Sequence, residues 1–190
     1  MQETKEVILN YFRTGEFESA IDAFNRSGIS LSDSDVQSVL DDFGKTLDEA
    51  LSARDGLTVR MTRNRISGLT HYYRSGFQTN SVIPVVLLHE GYRGKILLVS
   101  ISGGILDQNI CIRSNDIYHR EILRNTELEI NDIGMKNAMV HQLGGAYLDD
   151  KQNDCILIWG GSDEFGACDK EFVARLLHPF YPDRAIVIED

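Results

Sequence analysis

Two short stretches carry residue types that could do chemistry. In "NDIYHREIL", residues 115–123, Asp116 is placed to cap a helix, and Ile117, Tyr118 and His119 then fall in its first turn. Free backbone N–H groups and the helix dipole favour negative charge there. The same field disfavours imidazolium, so His119 would lean to the neutral form that a general base requires. The plainer reading is a surface histidine that happens to lie near a helix start. In "ILIWGGSDEFGACDKEF", a β-rich run, Cys155–Trp159, passes through Gly160-Gly161-Ser162 towards a helix at about Asp169–Leu177. A glycine-containing loop between strand and helix can turn its N–H groups onto an anion, with the Ser162 hydroxyl beside them. Many tight turns share this composition, and Asp163 and Glu164 would repel a phosphate unless they point away.

The remaining histidines are less pointed. His71 and His89 sit in turn or loop contexts, His141 precedes an expected Leu143-Gly144-Gly145 turn, and His178 lies at a helix end beside Pro179. None has the i, i+4 spacing of a zinc helix, and the chain carries no GxSxG, Walker or GxGxxG motif. Metal-dependent, triad and dinucleotide chemistries therefore have no support, and no cofactor is expected.

Bulk composition narrows the partners. The formal net charge is −10, which disfavours nucleic acid and anionic membrane, since both demand concentrated positive charge. A local exception runs from Leu57 to Asn80, with Arg60, Arg63, Arg65 and Arg74 and no acid. It reads as a solvated or inter-domain face, or else as a docking patch for an acidic partner. The longest apolar run, Ile83–Leu88, is strand-sized and far short of the roughly 18 residues of a membrane span. "MQETKEVILNYF" lacks the features of a secretory leader, and Cys111, Cys155 and Cys168 lack metal-ligand spacing. Buried, reduced thiols and a cytoplasmic location are the expectation.

The elements that must position these residues fall into two groups. Helical spacing runs through Glu6–Phe12 to Thr14-Gly15, and again through Phe17, Ala20, Ile21 and Phe24 to Gly28. Ser32, Ser34 and Asp35 announce a third helix with the stripe Val36, Val39, Leu40, Phe43, Leu47, Leu51, ending before Asp55-Gly56. Over Leu57–Ser81 the pattern weakens, which places the boundary there. Beyond it, Val82–Leu88 and Lys95–Ser102 read as strands around the turn Glu90–Gly94, followed by a short strand at Ile110–Arg113 and the helix opened by Asp116. After Cys155–Trp159 and the next helix, Pro179 and Pro182 precede a last strand, Ala185–Ile188. The expected organisation is an α/β domain over 81–190 behind a helical extension over 1–80.

Taken in order, the dipeptides of the second part resemble a known family. Ile83-Pro84, Lys95 opening "KILLVSI", Ile112-Arg113, Tyr118-His119, Gly144-Gly145, "IWGGS…FG" and Tyr181-Pro182-Asp183 are similar in order and spacing to the Janus/Ocnus family, which includes the small phosphohistidine phosphatases. The resemblance implies a mixed sheet flanked by two helices and metal-independent hydrolysis of the P–N bond of phosphohistidine. It puts the catalytic histidine at His119, the strand-opening lysine at Lys95 and the phosphate-loop serine at Ser162. An upstream arginine falls near Arg113, with a spacing two residues shorter. His119 would activate water or attack phosphorus itself. Lys95, Arg113, Ser162 and the backbone N–H groups around His119–Arg120 and Ser162–Glu164 would stabilise the phosphoryl oxygens.

Two departures stand out. Ala146-Tyr147 occupy the place of a basic residue after the glycine run, and Asp163-Glu164 replace a small or apolar pair after the serine. Each changed charge could cost on the order of 1 kcal/mol of anion binding in a partly exposed site. The substrate implied is a phosphorylated protein or a small N-phosphate, with the N-terminal helices as a docking element for a protein partner. A non-catalytic anion- or protein-binding module that keeps the fold is the alternative.

Overall fold

The capping box read at Ser32 forms as expected. The Ser32 hydroxyl accepts the Asp35 N–H, and the Asp35 carboxylate accepts the Ser32 N–H at 2.8 Å. The helix it opens is one of four that begin the chain: α1 (Lys5–Thr14), α2 (Phe17–Ser27), α3 (Asp33–Ala53) and α4 (Gly56–Arg74). They belong to a computed structural model that describes residues 4–150 and 155–189. Its chain divides into two units, one of residues 1–83, 103–107 and 128–138, the other of the remainder.

In the first unit, α1 closes on Gly15 in the left-handed conformation, φ 78°. The core is aromatic: Phe12 meets Phe17 edge-on at 5.1 Å, and Tyr72 and Phe24 each lie 5.3 Å from Phe77. The expectation of a weak segment over Leu57–Ser81 is corrected here, because α4 occupies most of it. Its buried face is Thr62, Gly68, Leu69 and Tyr72, a stripe too polar and too small to show as apolar periodicity. Gly68 serves close packing, since a Cβ there would stand 3.1 Å from the Phe17 ring. Part of the arginine patch is used inside this unit. Arg60 forks onto the buried Asp132 carboxylate (3.0 and 3.2 Å), and Arg65 donates to the Asp132 carbonyl at 3.0 Å.

The second unit holds a mixed five-stranded sheet of order β2-β1-β3-β4-β5. Its strands are β1 (Arg93–Ser102), β2 (Asn109–Arg113), β3 (Met139–Asp150), β4 (Cys155–Trp159) and β5 (Ala185–Ile188). The first four pair antiparallel, and β5 joins β4 in parallel after the crossover helix α6 (Lys170–Leu177). Period-two alternation puts Ile96, Leu98, Ile112, Ala146, Leu148, Ile156 and Ile158 on one face, where Val173 and Leu177 of α6 complete a core. Helix α5 (His119–Asp132) runs between β2 and β3 in the chain. The expected α/β architecture with N-terminal helices is present.

Three local expectations are corrected. Val82–Leu88 forms no strand; it makes a single bridge, Val86 to Ile112, because Pro84 interrupts the ladder of donors. Leu143-Gly144-Gly145 forms no turn; β3 runs through it with a register shift opposite Leu97 and Val99. Gly144 (φ 102°) is there for close approach, since a Cβ would fall 2.7 Å from the backbone of Ala167 and Cys168. Lastly, α5 starts at His119, two residues later than a cap at Asp116 would place it. Among the described residues no helix is long and apolar enough to cross a membrane.

Candidate functional site

The loop entering α5 is shaped by Asn115, whose φ is 75°, and by Asp116. The Asp116 carboxylate accepts the N–H groups of Ile117 (2.7 Å) and Tyr118 (3.4 Å), so it closes the turn ahead of the helix. The Tyr118 carbonyl takes the first helical bonds, from Glu121 and Ile122, both at 3.1 Å. His119 is therefore the first helical residue, where its own N–H and that of Arg120 have no acceptor within the helix. It is no surface histidine: only 4% of it is exposed, while Tyr118 and Arg120 on either side are exposed.

Strand β3 supplies the surface against which His119 rests. Its Nε2 lies 3.3 Å from the Ala146 carbonyl oxygen. A carbonyl can only accept, so Nε2 carries the proton, and in the neutral ring Nδ1 carries the lone pair. The imidazole is held below its ordinary pKa of 6.5, first by burial and further by the Lys95 charge; the Ala146 and Ile96 backbone and Asp163 oppose the shift. The sequence pointed to the right direction by the helix field, whereas the largest cause is desolvation.

Gly145 brings the two motifs together. A Cβ on this residue would stand 2.4 Å from His119 Nε2 and 3.0 Å from Ser162 Cβ, so both side chains pass over a bare backbone. Gly145 also ties β3 to the loop, giving its N–H to Gly166 and accepting that of Cys168, each at 3.0 Å. Ser162 is buried and bridges to Gly166 in both directions (3.1 and 2.9 Å). Its hydroxyl oxygen accepts the N–H groups of Glu164 (3.3 Å) and Phe165 (3.1 Å). The Glu164 amide, expected to face an anion, is thus turned onto Ser162, and the Asp163 and Glu164 side chains are exposed.

Lys95 stands on β1 in register with Tyr147 of β3, which is itself in register with Trp159 of β4. This row lies on the sheet face opposite the α6 core. The Lys95 ammonium is 5.5 Å from the Tyr118 ring centre and 5.8 Å from that of Tyr147. Tyr147 stacks on Trp159 at 5.7 Å and meets His119 edge-on at 6.2 Å, and Arg120 lies 5.5 Å from the Tyr118 ring. A cleft of about 560 Å³ opens beside this row, with Lys95, Tyr147, Tyr92, Ile117, His89 and Arg93 in its walls.

Of the residues expected from sequence, the fold brings His119, Ser162 and Lys95 together around Gly145 and Tyr147, with Arg120 at the edge. Arg113 is the exception and a correction. It is 1% exposed, and its guanidinium donates to Thr126 Oγ1 and to the Pro84 carbonyl, each at 3.3 Å. A side chain so enclosed offers a dissolved anion no surface. Gly145 and Tyr147 were not expected to shape the site because Leu143-Gly144-Gly145 reads as a turn, and Trp159 was expected only as the end of a strand; period two across Gly145, Tyr147 and Asp149 was the available signal for β3.

The sequence profile of the Janus/Ocnus family (Ocnus) matches residues 80–185, more than half of the 190-residue chain. The chain belongs to the Janus/Ocnus family. No curated protein matches it. The Janus/Ocnus match spans Lys95, His119, Gly145, Tyr147 and Ser162, and leaves α1–α4 outside.

Proposed function

We propose that this Janus/Ocnus chain is a metal-independent phosphatase that hydrolyses phosphohistidine, or a related N-phosphate, with His119 as general base. The observation that carries the reading is the meeting of a buried, neutral histidine with Ser162 across Gly145, beside the ammonium of Lys95. In this mechanism the phosphoryl group lies between the start of α5, Lys95 and the Ser162 loop. Nδ1 of His119 takes a proton from water as the water oxygen forms its bond to phosphorus. The P–N bond breaks, its electron pair stays on the departing nitrogen, and the proton held by His119 is returned there. Lys95 and the amides of His119 and Arg120 balance the charge gathering on the phosphoryl oxygens.

The test is phosphate release from a phosphohistidine peptide in the presence of EDTA. His119→Ala is expected to lower kcat roughly 10²- to 10⁴-fold, the range for loss of a general base. Equal rates for wild type and His119→Ala would sink the catalytic reading. A second reading, a non-catalytic anion- or protein-binding module, draws on the loop itself, where the Glu164 and Phe165 amides turn inward and two carboxylates face solvent. Phosphate binding at His119 without any turnover would favour it.

A further inference from the structure

The two edges of the sheet end differently. On the outer side of β2, Ile112 gives its N–H to the Val85 carbonyl (2.8 Å) and accepts that of Leu87 (2.9 Å), so that edge is covered. The other edge is β5, and among the described residues no strand pairs with its outer side. Its parallel ladder fixes which backbone groups are spare. The Glu189 N–H bonds to the Ile158 carbonyl at 2.9 Å, so residues 185, 187 and 189 turn their groups to β4. The N–H and C=O of Ile186 and Ile188 therefore point outward. Apart from its brevity this edge lacks the usual guards, since Ala185-Ile186-Val187-Ile188 carries no charge and no proline. Val187 is 40% exposed.

A groove of about 430 Å³ runs beside the edge, between β5 and one stripe of α6. The stripe is Glu171, Ala174, Arg175 and His178, spaced i, i+3, i+4, i+7, and Arg184 and Ile186 form the facing wall. Charge is sorted by end. Lys170 Nζ donates to the Glu189 carbonyl at 3.3 Å, so the start of α6 lies against the end of β5, where Glu171 and Glu189 stand. Arg175, His178 and Arg184 stand at the opposite end. Arg184 is bound to the Asp150 carboxylate, whereas the Arg175 guanidinium is exposed over the Phe172 ring, 5.4 Å from its centre. An edge that is acidic at one end and basic at the other is complementary to itself when turned end for end.

We propose that β5 is a self-association edge, on which a second copy of this chain pairs antiparallel across a twofold axis at Val187, joining the two five-stranded sheets into one. The outward groups set the register. Ile186 of each copy faces Ile188 of the other as a hydrogen-bonded pair, and the two Val187 side chains meet on the axis. The α6 stripes then run antiparallel on the same side of the joined sheet, with Glu171 of each copy towards the Arg175–His178 end of the other. The small Ala174 side chain in the middle of each stripe leaves room for that approach. A parallel pairing would instead set like charges together. Because both copies use the same patch and the β2 edge is covered, the contact closes as a dimer.

Sedimentation of the full chain tests it. The contact is small, so dissociation is expected on the order of 10 μM, giving mostly dimer at about 100 μM and monomer at about 1 μM. Hydrogen exchange at the Ile186 and Ile188 amides should be about fourfold slower at the higher concentration. Val187→Lys, an exposed change that puts two ammonium groups on the axis, should weaken the dimer at least tenfold. Arg175→Glu and Glu171→Arg, both at exposed positions, should each weaken it by roughly fivefold, and an equimolar mixture of the two should associate as well as wild type. That recovery also shows that the variants fold. A chain that stays monomeric up to about 500 μM would overturn self-pairing and leave the edge to an extended segment of another protein. A dimer indifferent to Val187→Lys, or charge variants that fail to recover on mixing, would overturn the antiparallel arrangement.

Discussion

A histidine at the first position of a helix and covered by a strand gives up most of its contact with water, and the cost falls on its charged form. For His119 this leads to a linked pair of expectations. The unfolded chain holds the imidazole near 6.5 and the folded chain below it, so between those values the unfolded state binds more protons. The stability from this group is fully present above 6.5 and is lost as pH falls from there through the folded value. Urea titrations from pH 7.5 downwards should show a loss of stability in wild type that is shallower in His119→Gln; parallel curves would mean that the group does not titrate as described. The acid limb of kcat/KM for a phosphohistidine peptide should correspondingly have its midpoint below 6.5. At Gly145 the expectation is steric. A methyl group would fall 2.4 Å from His119 Nε2, so Gly145→Ala should cut activity at least tenfold by displacing the imidazole, and NMR of the His119 ring should report the shift. Unchanged activity and ring signals would show that the strand can yield there.

Strand β2 and strand β3 show how an element can change what a residue means. Arg113 was expected as an anion ligand because the family resemblance puts an arginine upstream of the histidine. On β2 its side chain turns inward, where Thr126 of α5 and the Pro84 carbonyl take up its donors. Arg113→Ala should therefore lower unfolding free energy by about 2–4 kcal/mol, through a cavity and broken buried hydrogen bonds, as read by chemical denaturation. A stable variant with phosphate affinity lowered more than tenfold would instead restore the ligand role. Strand β3 was hidden by its glycines, which spell a turn in isolation and here permit two close approaches, to the Ser162 loop and to His119. Helix α4 was hidden for a related reason: a buried face of threonine, glycine and two larger side chains carries little hydrophobic contrast.

At the scale of the whole molecule the question is how a chain of net charge −10 would hold an anion. The rings around Lys95 leave its charge unneutralised, while Asp163 and Glu164 stand exposed at the neighbouring loop and work against it. Asp163→Asn should tighten inorganic phosphate binding about two- to fivefold at low ionic strength, and the gain should vanish near 1 M salt, where screening shortens to about 3 Å. A gain independent of salt would point to a change in loop conformation rather than charge.

Composition and local pattern by themselves determined the α/β class, the three leading helices with their Gly15, Gly28 and Ser32–Asp35 signals, and four of the five strands, whereas the choice of His119, Lys95 and Ser162 as candidates rested on the family resemblance. The class and the elements follow from short-range rules, since caps, turns and alternation depend on residues a few positions apart. Tertiary structure alone decided that β3 passes straight through Gly144-Gly145, that His119 is buried, that Arg113 faces inward, and that Tyr147 stands between Lys95 and Trp159. The reason is physical: desolvation and cross-strand register depend on residues tens of positions away, and no local spacing encodes them. The stretch "NDIYHREIL" held the candidate base, but the bare backbone of Gly145, 26 residues further on, is what brings it to Ser162.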